Sequence, residues 1–145
     1  MRFWDASAIT PLLVAERSSP AVHVLLSDDE AMIVWWASRV ECASALRRRE
    51  REGALDGRAV GVALGLLDAL ASAWSEVLPS DRVRLAAERA LAVHALRAAD
   101  ALQLAAALAW EPEPARTAEL VCLDGRLRYA AAREGFALAP AELEA

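Results

Sequence analysis

Met1-Arg-Phe-Trp-Asp5 and its later counterpart Glu119-Leu-Val-Cys-Leu-Asp124 decide the fold of this chain. Each is a short apolar run closed by an aspartate and bounded by small or turn-forming residues, which is how a buried strand reads. Outward from these two stretches, apolar runs of strand length alternate with segments of helical period. Strands are expected at 2–4, 32–36, 76–78, 120–123 and 136–138, and helices at 7–16, 20–26, 38–52, 56–75, 81–94, 96–110 and 126–134. Ser19-Pro20 supplies a cap and first-turn proline, Gly53 and Gly135 supply stops, and a Pro-rich loop spans Glu111 to Pro114. Strands that alternate with helical segments imply an α/β domain in three layers, helix on sheet on helix, with a short, mainly parallel central sheet. The segment from Leu55 to Trp74 is apolar nearly all round, so its helix needs cover on more than one side.

Four acids occupy unusual places in this pattern. Asp5 and Asp124 follow strands, Glu41 lies in the first turn after the run Met32-Ile-Val-Trp-Trp36, and Asp100 shares a helical stripe with Leu104, Ala107 and Leu108. Strand ends and helix starts form the carboxyl edge of an open α/β sheet, where ligands gather. Taken singly, each acid has a plain explanation. Asp5 and Asp124 serve as helix caps, Glu41 is favoured by the helix dipole, and Asp100 pairs with Arg97 one turn earlier. One pocket of carboxylates around a divalent cation accounts for all four together, because a buried carboxylate requires a cation or donors beside it.

The remaining composition excludes more than it assigns. With 145 residues, 57% hydrophobic and 26% charged, the chain reads as one globular domain over 1–145, and no apolar stretch has the length of a membrane span. Asp5 with a single preceding Arg does not read as a secretory signal of ordinary form, so none is expected, and a cytoplasmic location is expected. Cys42 and Cys122 lack a C-x-x-C spacing and read as small core residues, and His23 and His94 have no metal-ligand spacing, so a zinc site is not expected. All 16 basic residues are arginine; with no lysine, a Walker A loop, a Schiff-base enzyme and a phospho-acceptor receiver domain all fall away. A phosphatase with an opening Asp-x-Asp would need an acid at Ser7. The net charge of −5 argues against bulk electrostatic binding of nucleic acid. Arg47-Arg-Arg49 with Arg51, and Arg126 with Arg128, are nonetheless candidates for contacts to backbone phosphates; as solvated helix faces they need no ligand.

Four blocks in order carry a resemblance: Phe3-Trp-Asp-Ala-Ser-Ala8, Val40-Glu-Cys-Ala-Ser-Ala-Leu46, His94-Ala-Leu-Arg-Ala-Ala-Asp-Ala-Leu-Gln-Leu-Ala105, and Val121-Cys-Leu-Asp-Gly-Arg-Leu127 with Ala130 to Gly135. Over nearly its full length the chain resembles the PIN-domain ribonucleases, specifically the single-domain VapC-type toxins of toxin-antitoxin pairs. The resemblance implies a PIN-like fold and an endoribonuclease dependent on Mg²⁺ or Mn²⁺, with Asp5, Glu41, Asp100 and Asp124 as catalytic and metal-binding residues and Ser7 steadying the pocket. It further implies RNA as substrate, a protein antitoxin as partner and a homodimer as the unit, with the apolar stretch from Leu55 to Trp74 as a candidate partner groove. Where the family often has Thr or Ser two residues before the last acid, this chain has Cys122, a poorer hydrogen-bond donor. The competing expectation is a catalytically weak module of the same fold that acts through partner contacts.

Overall fold

The computed structural model describes residues 1–112, 114 and 117–144; Glu113 of the expected Pro-rich loop lies outside the described residues. Its elements follow in the order β1 (Arg2–Trp4), α1 (Ala6–Leu13), α2 (Ser19–Asp28), β2 (Met32–Trp35), α3 (Ser38–Arg51), α4 (Gly57–Ala73), β3 (Ser75–Val77), α5 (Asp81–Val93), α6 (Ala98–Trp110), β4 (Glu119–Val121), α7 (Gly125–Arg133) and β5 (Ala137–Ala139). The expected alternation is therefore present, and the sheet is parallel throughout in the order β3-β2-β1-β4-β5.

The strands are short, but their side chains alternate between two cores, as a period of two requires. Phe3, Ile33, Trp35, Leu120 and Cys122 point to the core shared with α5, α6 and α7. Trp4, Met32, Val34 and Val121 point to the core shared with α1 to α4. A strand buried on both faces reads as a continuous apolar run, which is why these segments show no polar alternation. Each fully enclosed side chain of the size of Phe3, Ile9 or Leu104 contributes about 1.5–3 kcal/mol by its burial.

Several element ends differ from the sequence reading, each for a local reason. Helix α1 stops at Leu13, not near Glu16: Val14 turns extended, and the Ser19 hydroxyl donates to the Pro11 carbonyl, taking up a helix-end acceptor. Ser19 is consequently not the cap of α2; that position is Ser18, with Pro20 in the first turn. Helix α6 begins at Ala98 after an extended Arg97, and β4 ends at Val121, leaving Cys122 and Leu123 between the strand and Asp124. Gly53 and Gly135 both adopt positive φ, 78° and 105°, just past α3 and α7, as their role as stops requires.

Helix α4 departs from expectation. Only Val60, Ala63 and Leu67 are buried within the helix, so this chain covers it on one side; Val62 and Leu66 are exposed. Of the tryptophans, Trp35 and Trp74 belong to the core and Trp36 is 52% exposed. Among the described residues, no helix is long and apolar enough to cross a membrane.

Candidate functional site

The strand order places β1 beside β4 where the chain, having moved outward through β2 and β3, returns to the other side of β1. This is the topological switch point, and the loops leaving the two strands diverge to opposite faces and open a crevice there. Asp5 and Asp124 lead into helices from these adjacent strands, and Glu41 does so after neighbouring β2.

Asp5 continues the sheet through its backbone, donating to the Val121 carbonyl at 2.9 Å. Its side chain caps α1, with Oδ2 accepting from the Ser7 N–H at 3.0 Å and also from the Ser7 hydroxyl. Cys122 Sγ donates to the same oxygen at 3.6 Å. Among the described residues no hydrogen bond falls on Oδ1. The Ser7 hydroxyl meanwhile accepts from the Leu123 N–H at 2.9 Å, tying the start of α1 to the loop after β4. Burial pushes the Asp5 carboxyl above the usual range and the charge of Asp100 adds to this, against the opposing pull of the Ser7 and Cys122 hydrogen bonds.

Glu41 sits in the first turn of α3 and is held by a residue that its own segment does not announce. Gln103, fully buried on α6, donates from Nε2 to Glu41 Oε1 at 3.2 Å and to the Ser38 hydroxyl at 2.9 Å. Burial, then the charges of Asp5 and Asp100, raise Glu41 from 4.5 to about 7. Gln103 and Ser38 were missed as site residues from the sequence. The available signal was a polar side chain three positions after Asp100 on an otherwise apolar helical face.

Asp100 is the third residue of α6. Burial and the charge of Asp124 raise its carboxyl, whereas the Arg97 backbone N–H, the Arg97 charge and the Arg126 charge favour ionisation. Asp124 caps α7, accepting from the Leu127 N–H at 2.9 Å. The capping roles read from sequence for Asp5 and Asp124 are thus present. The four acids also act on one another electrostatically: Glu41 feels Asp5 and Asp100, Asp5 feels Asp100, and Asp100 feels Asp124. The N-terminal ends of α1, α3, α6 and α7 converge with these acids, and their dipoles offset part of the negative charge.

Among the described residues, no group of three or more His, Cys, Asp or Glu side chains is arranged to hold a metal ion directly. The donor chemistry nevertheless suits a hard divalent cation: the cluster is all carboxylate oxygen, and its members raise one another's affinity for positive charge. Mg²⁺ keeps several waters and needs only one or two carboxylates in direct contact, so Asp5, Glu41, Asp100 and Asp124 fit as ligands reached largely through water.

A cleft of about 600 Å³ adjoins the cluster, lined by Ser7, Thr10, Glu16, Glu41, Arg48 and Arg49. Arg49 is paired with Glu16, and its Nη1 is buried with no hydrogen-bond partner among the described residues. Arg47 instead pairs with Glu50 at the surface, and only Arg48 and Arg49 of the arginine cluster face the cleft. Arg128 is not free for phosphate: it is buried and donates to the Cys122 and Ala141 carbonyls at 2.9 and 3.0 Å. His94 ends α5 and pairs with Glu134 at 2.7 Å, as a helix-end histidine. Neither a protein-family model nor a curated protein sequence matches the chain.

Proposed function

We propose that this chain is a Mg²⁺- or Mn²⁺-dependent endoribonuclease. The observation that carries the reading is the convergence of four carboxylates, linked to one another through Asp100, at the switch point of a parallel sheet, beside a cleft in which Arg48 and Arg49 follow Glu41 along α3. Asp5, Asp100 and Asp124, with Glu41, would hold the ion, which when bound supplies charge to activate water and stabilise the leaving oxygen. The protein's own contribution is positioning. Ser7 fixes Asp5 Oδ2, Gln103 fixes Glu41 Oε1, and Arg48 and Arg49 offer guanidinium donors to a phosphodiester entering the cleft. The toxin role, with a cognate protein antitoxin and a homodimeric unit in the cytoplasm, follows from the resemblance of the four sequence blocks.

Purified protein should cut RNA with Mg²⁺ or Mn²⁺ and stop in chelator, and Asp5→Asn or Asp100→Asn should abolish cutting. Activity persisting in chelator would overturn the reading. One observation favours a second reading, a catalytically weak binding module: among the described residues no three ligands are grouped for direct coordination. Calorimetric titration with Mg²⁺ separates the two, because the module need not hold the ion.

A further inference from the structure

A second cavity, of about 310 Å³, shares no lining residue with the arginine cleft and opens beside Gly125, the residue after Asp124. It lies between the end of α5 and the outer stripe of α7. Its size is at the lower end of the range for small-molecule sites, about 300–1,000 Å³. Val93 and Ala130 give it apolar walls, and Arg126, Tyr129 and Arg133 give it a cationic and aromatic one; no carboxylate lines it.

Two features set this wall apart from an ordinary solvated helix face. First, its cations are uncommitted: Arg126 makes no hydrogen bond or ion pair among the described residues, and Arg133 donates only to the Tyr129 hydroxyl, at 3.3 Å. The neighbouring nitrogen donors are used, since Arg89 at 2.9 Å and His94 at 2.7 Å both engage Glu134. Second, Tyr129 is 65% exposed, and the Arg133 guanidinium carbon stands 5.7 Å from its ring centroid. An exposed aromatic ring beside two guanidiniums that have no carboxylate partner among the described residues, in a concavity with apolar walls, suits a ligand that has a flat π-face and an anionic group.

We infer that this pocket is a nucleotide subsite, taking the RNA nucleotide next to the phosphodiester at the carboxylates. Its base lies on Tyr129 against Val93 and Ala130, and its phosphate on Arg126 and Arg133. Gly125, which lines the pocket, directly follows Asp124, so the pocket adjoins the acidic cluster, and Asp100 feels the charge of Arg126. That the ligand belongs to a strand being cut rests on the nuclease reading; the chemistry of the pocket does not.

The test uses the full chain without divalent cation, titrated with adenosine 5′-monophosphate, uridine 5′-monophosphate and inorganic phosphate. The ring signals of Tyr129, the only tyrosine in the chain, and of His94 are followed by NMR. Nucleotides should move both sets of signals and bind more tightly than phosphate. Tyr129→Ala should weaken nucleotide binding about tenfold or more, and Arg133→Gln or Arg126→Gln should weaken both nucleotide and phosphate. All three side chains are exposed, and circular dichroism checks that the variants fold. Equal binding of phosphate and nucleotide, untouched by Tyr129→Ala, would show only an anion patch and overturn the inference, as would unmoved signals. With RNA and Mg²⁺, Tyr129→Ala should raise KM more than it lowers kcat; an unchanged KM also overturns it. Nucleotide binding without any metal-dependent cleavage would instead leave the subsite and remove the nuclease.

Discussion

The junctions β1–α1 and β4–α7 are built from the same parts and do different work. Both pass from a buried strand to a helix capped by an aspartate, and they lie side by side at the switch point. In the first, Asp5 follows the strand without a break, is buried, and takes three donors on one oxygen. In the second, Cys122 and Leu123 intervene, and Asp124 emerges half-buried as a cap on Leu127. Two intervening residues therefore separate a carboxylate whose charge the protein must oppose from one that the helix start accommodates. The buried acid is the one whose loss of charge, with its hydrogen-bond acceptor kept, should matter most to chemistry and little to folding.

That contrast gives the largest expected effect. Asp5→Asn keeps a capping side chain but deletes the buried charge. Cleavage and Mg²⁺ affinity should fall by more than about 100-fold, the upper end for changes behind a metal's first ligands, while the metal-free protein melts no lower than the parent. Loss of folding with Asp5→Asn would show that the carboxylate is needed for structure instead.

Next in size is the pH response of the cluster. Glu41 titrates near 7 in the folded chain against 4.5 ordinarily, so between these values the folded state holds more protons than the unfolded one. Stability of the metal-free protein should therefore fall as pH rises from about 4.5 through 7, and the raised Asp5 and Asp100 act in the same direction. Added Mg²⁺ should restore the melting temperature at pH 8 and do little at pH 5. Melting curves of the parent and of Glu41→Gln across this range test it; equal slopes would remove Glu41 from the cluster.

Two substitutions separate the capping role of Asp124 from the metal-binding role proposed for it. Asp124→Ala loses the cap and should cost about 1 kcal/mol, a drop of roughly 2–4 °C for a domain near this size. Asp124→Asn keeps the cap and the melting temperature, yet should weaken metal binding as much as Asp124→Ala does. If both variants bind Mg²⁺ like the parent, Asp124 is a cap alone.

The smallest effect is expected at Cys122. Burial pushes its thiol up beyond the range of ordinary reactivity, and Sγ donates weakly to Asp5 at 3.6 Å. Cys122→Ser replaces this with a stronger donor to Asp5, which favours the ionised carboxylate and should tighten Mg²⁺ binding a few-fold in calorimetry.

Much of this was legible in the residues. The short apolar runs before Asp5 and Asp124, the positions of Glu41 and Asp100 at helix starts, and the glycines at 53 and 135 report local preferences that tertiary packing did not override. The parts that escaped are those created between distant segments. Gln103 reaches Glu41 across 62 positions, and Ser7 reaches Leu123 across 116. Arg128 looked like a surface cation until the chain end folded over it, with its guanidinium satisfying the Ala141 carbonyl. Helix α4 could be read as apolar, but not as leaving Val62 and Leu66 uncovered.

The sequence alone determined an α/β chain, its order of elements and which acids would stand at helix starts, because strand runs, helical period and caps are set by neighbouring residues. Only the tertiary structure decided that those acids share one electrostatic field, that Asp5 is enclosed and Asp124 is not, and which arginines face a cleft. Those are properties of strand order and of long-range packing, which bring together groups that no local pattern relates.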